Sequence, residues 1–166
     1  MVSPDKNTDR WRRWIADRAE VFFLYARQRT RTEEDARDVV QDALWESWRR
    51  TGGDIPDNAL VFATIRRRAI DRGRADESRL QRETAIAAHT DLWFQPDFSE
   101  PDTSRAIATA LKELPEHLQE VVSLKLWGDL TFPEIAGITG VPVPTATSRY
   151  RYALDRLRET LSHQFA

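Results

Sequence analysis

The chain has no cysteine, one methionine, six glycines and three histidines in 166 residues. Without cysteine there is no disulfide, no thiolate metal site and no cysteine nucleophile, and the composition is compatible with a reducing compartment. His89, His117 and His163 stand apart, without the short spacing that brings two imidazoles to one metal, so neither a metal nor any other cofactor is expected. Long hydrophobic runs are missing too. No apolar stretch approaches the ~20 residues that cross a bilayer, and the opening Met-Val-Ser-Pro-Asp-Lys-Asn lacks the apolar core of a signal peptide. The expectation is a cytoplasmic protein without membrane contact. No nucleophile–base pair, metal cluster or glycine-rich phosphate loop is legible either, so the chain is not expected to be an enzyme.

What is present is ordinary for a soluble protein: 40% apolar and 31% charged residues, in a length that fits one domain or two small ones. The net charge of −2 hides a segregation. Residues 31–46 carry Glu33, Glu34, Asp35, Asp38, Asp42 and Glu46 against Arg31 and Arg37. Residues 66–82 reverse this, with Arg66, Arg67, Arg68, Arg72, Arg74, Arg79 and Arg82 against Asp71, Asp76 and Glu77. Segregated charge suggests a different partner for each face, because a basic stripe attracts phosphates locally whatever the global balance.

The apolar periodicity is helical almost throughout. Trp11, Trp14, Ile15, Phe22, Tyr25 and Ala26 mark the inner face of a first helix. Thr32 caps a second, with Ala36, Val39, Val40, Ala43, Leu44 and Ser47 inside. Residues 52–58, with Gly52, Gly53 and Pro56, form a turn, and a third helix runs from about Ala59 to Arg74 with Phe62, Ile65, Ala69, Leu60 and Ile70 inward. From about Asp76 to Ser104 the pattern weakens, and Pro96, Ser99, Pro101, Asp91, Asp97, Glu100 and Asp102 read as an acidic linker. Ala106, Ile107, Ala110, Leu111 and Leu114 then begin a second helical domain; Pro115 restarts the chain, and Leu118, Val121, Val122, Leu124, Lys125 and Leu126 lead to a helix end at Gly128.

Residues 130–157 have the grammar of a helix-turn-helix. Thr131 and Glu134 stand at capping-box spacing, Ile135, Ala136 and Ile138 give a short helix its apolar face, Gly140 allows a tight turn, and Pro144 sits where a helix start tolerates a missing donor. Ala146, Tyr150, Ala153, Leu154 and Leu157 then bury one stripe of a longer helix. Thr145, Thr147, Ser148, Arg149, Arg151 and Tyr152 are mostly left outside, and hydroxyls and guanidiniums are the groups that bond base edges and phosphates. A surface helical hairpin with merely solvated arginines is the plain alternative.

Taken together, the two halves resemble a bacterial RNA polymerase sigma factor of the small, two-domain extracytoplasmic-function type in the sigma-70 family. Asp35 to Trp48 looks like the family's polymerase-binding segment, with an Asp-x-x-Gln-Asp core and a closing tryptophan; Phe62 to Arg74 looks like the helix that opens the minus-ten element; Leu114 to Val122 with the helix-turn-helix looks like the domain that reads the minus-thirty-five element. The fold implied is all-α: two small helical domains, residues 8–76 and 105–162, joined by a flexible acidic linker over 77–104 that threads the polymerase RNA channel. The implied partners are core RNA polymerase, through its beta-prime clamp and beta flap, and promoter DNA, and the resemblance admits an anti-sigma factor. Polymerase contact then falls to Asp38, Gln41, Asp42 and Trp45, and minus-ten contact to Arg66, Arg67, Arg68, Asp71, Arg72 and Arg74. Minus-thirty-five contact falls to Thr145, Thr147, Ser148, Arg149, Arg151 and Tyr152. Leu60 stands where the family often has tryptophan, Arg67 where it has asparagine, and Pro142 where a serine-type cap usually precedes the recognition helix.

Read from the residues alone, Asp35, Asp38, Asp42 and Glu46 share one side of a helix and form a solvated acidic face or a docking face. Trp48 reads as core packing. A DNA-binding regulator that dimerises through its N-terminal bundle and works without polymerase is the competing function. It has no need of the acidic helix or of the arginine-rich third one.

Overall fold

The computed structural model describes residues 4–82 and 102–164. Among them are seven helices and no strand, so the fold is all-α, as the periodicity implies. The chain divides into two compact units, Met1–Leu92 and Trp93–Ala166. No helix among the described residues is long and apolar enough to cross a membrane.

The first unit is a three-helix bundle of α1 (Pro4–Arg27), α2 (Glu33–Arg50) and α3 (Asn58–Arg82), each packed against the other two. Its core is aromatic. Phe62 meets Phe22 edge-on at 5.1 Å and Tyr25 at 5.2 Å between ring centroids, and Trp14 closes on Phe22 at 5.7 Å. Edge-to-face pairs of this kind add about 0.5–1.5 kcal/mol each beyond area burial. Thr32 caps α2 by accepting from the Asp35 backbone N–H at 3.0 Å. The turn from α2 to α3 is tied to α1 at both ends: the Trp11 indole donates to the Gly53 carbonyl at 3.0 Å, and the Arg18 Nε donates to Asn58 Oδ1 at 2.8 Å.

The second unit contains α4 (Asp102–Glu113), α5 (Glu116–Leu126), α6 (Phe132–Thr139) and α7 (Val143–Gln164). Helices α4, α5 and α6 all pack on α7. Ala110, Leu111, Leu114, Leu118, Val122, Ala153 and Leu157 form its core, with Trp127, Tyr150 and Leu161 against it.

Several expectations shift. The third helix does not stop at Arg74 but continues to Arg82, because residues 75–82 contain no glycine or proline to end it. Residues 102–104, placed at the end of the linker, open α4 instead, and residues 77–82 belong to α3; the linker's residues 83–101 lie outside the described residues. Ile70 is exposed, and Val61 and Thr64 take inward places on α3 instead. At the end of α5, Asp129 and not Gly128 adopts the left-handed backbone, with φ of 51°; aspartate is among the few residues that tolerate it.

Candidate nucleic-acid interface

In the second unit the motif forms as its residues dictate. Thr131 Oγ1 accepts from the Glu134 backbone N–H at 3.3 Å, and the Glu134 carboxylate accepts from the Thr131 N–H at 3.0 Å, which closes the capping box. Gly140, at φ 73° and ψ 26°, donates to the Ala136 carbonyl at 2.9 Å and reverses the chain. Pro142 precedes α7 and its carbonyl accepts the helix's first backbone bond, from Ala146 N–H at 3.1 Å, without a serine side chain to cap the turn. Ala146, Ala153 and Leu157 are buried, and Phe132 of α6 meets Tyr150 edge-on at 5.5 Å, locking the two helices of the motif together. Lys125 donates to the Leu130 carbonyl at 3.0 Å and lies over the Phe132 ring, bracing the approach to α6.

On the outer face of α7, Ser148, Arg151 and Tyr152 are exposed; Thr145, Thr147 and Arg149 are half-buried. The hydroxyls are already engaged. Thr147 Oγ1 donates to the Val143 carbonyl at 3.0 Å and Ser148 Oγ to the Pro144 carbonyl at 2.9 Å. A hydroxyl whose proton is used in this way presents lone pairs outward, and so suits a base amino group better than a phosphate oxygen.

In the first unit the two charged runs, legible in sequence as separate faces, meet along one seam. Arg72 of α3 bridges Asp38 at 3.4 Å and Asp35 at 3.6 Å, and also donates to the Asp35 carbonyl at 3.3 Å. Arg68 lies 3.7 Å from Asp42 and donates to Glu46 at 2.9 Å; Arg67 donates to the other Glu46 oxygen, and Arg50 lies 3.5 Å from it. Burial pushes the Glu46 carboxyl up, but the hydrogen bonds and charges of Arg67 and Arg68 outweigh it and hold the group below its ordinary value. Residues proposed for polymerase, Asp38 and Asp42, are thus paired with residues proposed for DNA, Arg68 and Arg72. Gln41 and Trp45 are exposed on α2, and Arg66, Asp71 and Arg74 lie on α3. Trp48 is not core: it is 38% exposed and stacks on Trp45, 60% exposed, at 5.2 Å and 21°.

A cleft of about 600 Å³ opens beside this seam. Trp45, Glu46, Arg49 and Arg50 of α2 and Arg67, Arg68 and Asp71 of α3 line it. Sequence reasoning missed Arg49, Arg50 and the central place of Glu46, although the acids of α2 and the arginines of α3 both recur at three and four residue steps. It missed Arg27 as well, 4% exposed at the end of α1, where burial lowers the guanidinium pKa against the raising effect of Glu33 and Asp35. Arg27 donates to the Thr30 carbonyl at 2.9 Å and shapes the turn into α2.

Comparison with known proteins agrees with this geometry. Residues 104–157 match the family model described as sigma-70, region 4. The ECF RNA polymerase sigma factor RpoE of Cereibacter sphaeroides is 34% identical over 140 residues, which cover 76% of this chain and 72% of that protein. The RNA polymerase sigma-E factor of Streptomyces avermitilis is 30% identical over 150 residues, covering 89% and 83%. Among solved structures, the sigma factor RpoE bound to the anti-sigma factor NepR from Bartonella quintana has a TM-score of 0.71 over 92% of this chain and 96% of its own, at 19% identity. The helical architecture is therefore shared with a sigma factor, and the sequence relationship spans both halves of the chain. The chain belongs to the extracytoplasmic-function RNA polymerase sigma factors of the sigma-70 family.

Proposed function

We propose that the chain is a promoter-specificity subunit that binds core RNA polymerase and directs initiation, with a regulatory and not a catalytic role, in the cytoplasm. The observation that carries the reading is the pairing, in one chain, of a capped helix-turn-helix inside the region 4 match with a separate bundle that presents an acid-and-tryptophan helix beside an arginine helix. A regulator that only docks on duplex DNA has no use for the second element. Asp38, Gln41, Asp42 and Trp45 contact polymerase, where the acids set orientation and on-rate and the indole supplies buried area.

Arg66, Arg67, Arg68, Arg72 and Arg74, with Asp71, face the minus-ten element. Opening a duplex needs groups that hold unpaired strand by its phosphates, and guanidiniums do so. Residues 145–152 of α7 enter the major groove at the minus-thirty-five element. Because the structural neighbours include a sigma factor held by NepR and CnrH bound to the cytosolic domain of CnrY, an anti-sigma protein is a further partner. The test is reconstitution: purified chain with core polymerase, followed by sequencing of transcript start sites. Starts clustered downstream of a shared two-part sequence are expected. Start sites identical to those of core polymerase alone would refute the reading.

A further inference from the structure

Glu46 gathers three guanidiniums. Its Oε2 accepts from Arg68 Nε at 2.9 Å, its Oε1 accepts from Arg67 Nη2, and Arg50 Nη2 lies 3.5 Å from the same oxygen. One carboxylate faces three guanidiniums, and Arg68 also has Asp42 nearby, at 3.7 Å. A carboxylate offers about four lone-pair sites, while three guanidiniums carry about fifteen N–H donors, so Glu46 can hold the arginines together without exhausting them. The Glu46 side chain is 20% exposed, whereas those of Arg50, Arg67 and Arg68 are 54%, 47% and 37% exposed. The carboxylate therefore lies beneath and the arginines lie above. The cleft they share takes four arginines against Glu46 and Asp71, an excess of positive charge. Without the carboxylate, like charges at this spacing would repel and the long side chains would spread into solvent.

We propose that Glu46 is a positioning residue and that Arg50, held with Arg67 and Arg68, takes a backbone phosphate of the displaced promoter strand in this cleft. The proposal rests on the minus-ten reading of α3 given above. A carboxylate among DNA-binding arginines can also act in the opposite sense, as a competitor that masks them. The two roles predict changes of opposite sign.

The experiment titrates a fluorescent oligothymidine with the full-length protein at low ionic strength, following anisotropy over a series of salt concentrations. Phosphate contacts do not depend on base identity, so this probe reports the array itself. Arg50→Ala is expected to weaken binding severalfold and to flatten the salt dependence of log K by about 0.7, the value for one phosphate of a single strand. Glu46→Gln is expected to weaken binding as well, although it adds net positive charge, and Glu46→Asp to recover part of the loss. Tighter or unchanged binding by Glu46→Gln, an unchanged salt slope for Arg50→Ala, or no binding by the wild type would each overturn the proposal. Far-UV circular dichroism checks that Glu46→Gln keeps its helices; if it does not, the exposed Arg50→Ala decides alone. The joint variant Arg67→Ala with Arg68→Ala separates the two levels. If it binds like wild type, the minus-ten reading of α3 falls; if it binds weakly while the Glu46 and Arg50 variants do not, only this inference falls.

Discussion

Gly140 and Gly137, three residues apart, should respond to alanine with opposite signs. Both have open space around a built Cβ, with nothing within 4 Å, so packing does not distinguish them. The backbone does. Gly140 lies at φ 73°, in the left-handed region, where an L side chain crowds its own carbonyl and costs roughly 1–2 kcal/mol. Gly137 lies inside α6 with an ordinary helical backbone, where alanine in place of glycine gains roughly 0.5–1 kcal/mol by restricting the unfolded chain. The two variants should therefore differ by about 1.5–3 kcal/mol. In a unit of this size about 1 kcal/mol moves the melting midpoint by roughly 4–8 °C. Because the chain has two compact units, a whole-molecule melt would mix two transitions, and amide hydrogen exchange read on α5 and α7 reports the correct one. Gly140→Asn should lose less than Gly140→Ala, since asparagine tolerates the left-handed region. A neutral Gly140→Ala, or a destabilising Gly137→Ala, would refute the assignment of the turn.

Reversing Asp38 and Asp42 to arginine should weaken capture of core polymerase in a pull-down while leaving the bundle folded, because their pairs with Arg72 and Arg68 are partly open to solvent and solvent-screened pairs contribute about 0–1 kcal/mol each; retention of full binding would remove this face from the contact. On α7, Arg149 and Arg151 diverge by about 200°. Arg151 is exposed beside Ser148, and Arg149 is half-buried. Arg151→Ala should therefore relax preference at one minus-thirty-five position, at a cost of roughly 1–3 kcal/mol, and Arg149→Ala should weaken all sequences alike; selection from a randomised library checks this, and identical profiles for both variants would reject it. Glu46 sets a pH dependence. Its carboxyl is held below the ordinary value of 4.5, so its stabilising effect is complete above that value and is lost as pH falls through the lower folded-state value. The stability gap between wild type and Glu46→Gln, read by amide hydrogen exchange on α2 and α3, should thus be widest near neutrality and close in acid; a gap independent of pH would show that the ion pairs add nothing.

The amino-acid order by itself determined the local features of this protein. The period of apolar residues specified helices, Thr32 and Thr131 specified where two of them begin, and Gly140 specified the turn of the motif, because caps, turns and single-face burial depend on neighbours within a few residues. The buried stripe of Ala146, Ala153 and Leu157 was legible for the same reason. Tertiary structure decided what the charges do. Whether Asp35, Asp38 and Glu46 face solvent or Arg67, Arg68 and Arg72 depends on how α2 and α3 pack, a relation between residues 21 to 37 positions apart that no local period encodes. Trp48 was misplaced for the same reason: its spacing suits burial, but α2 turns it outward onto Trp45. Helix type follows from neighbours in sequence. The pairing of an acidic face with a basic one follows only from neighbours in space.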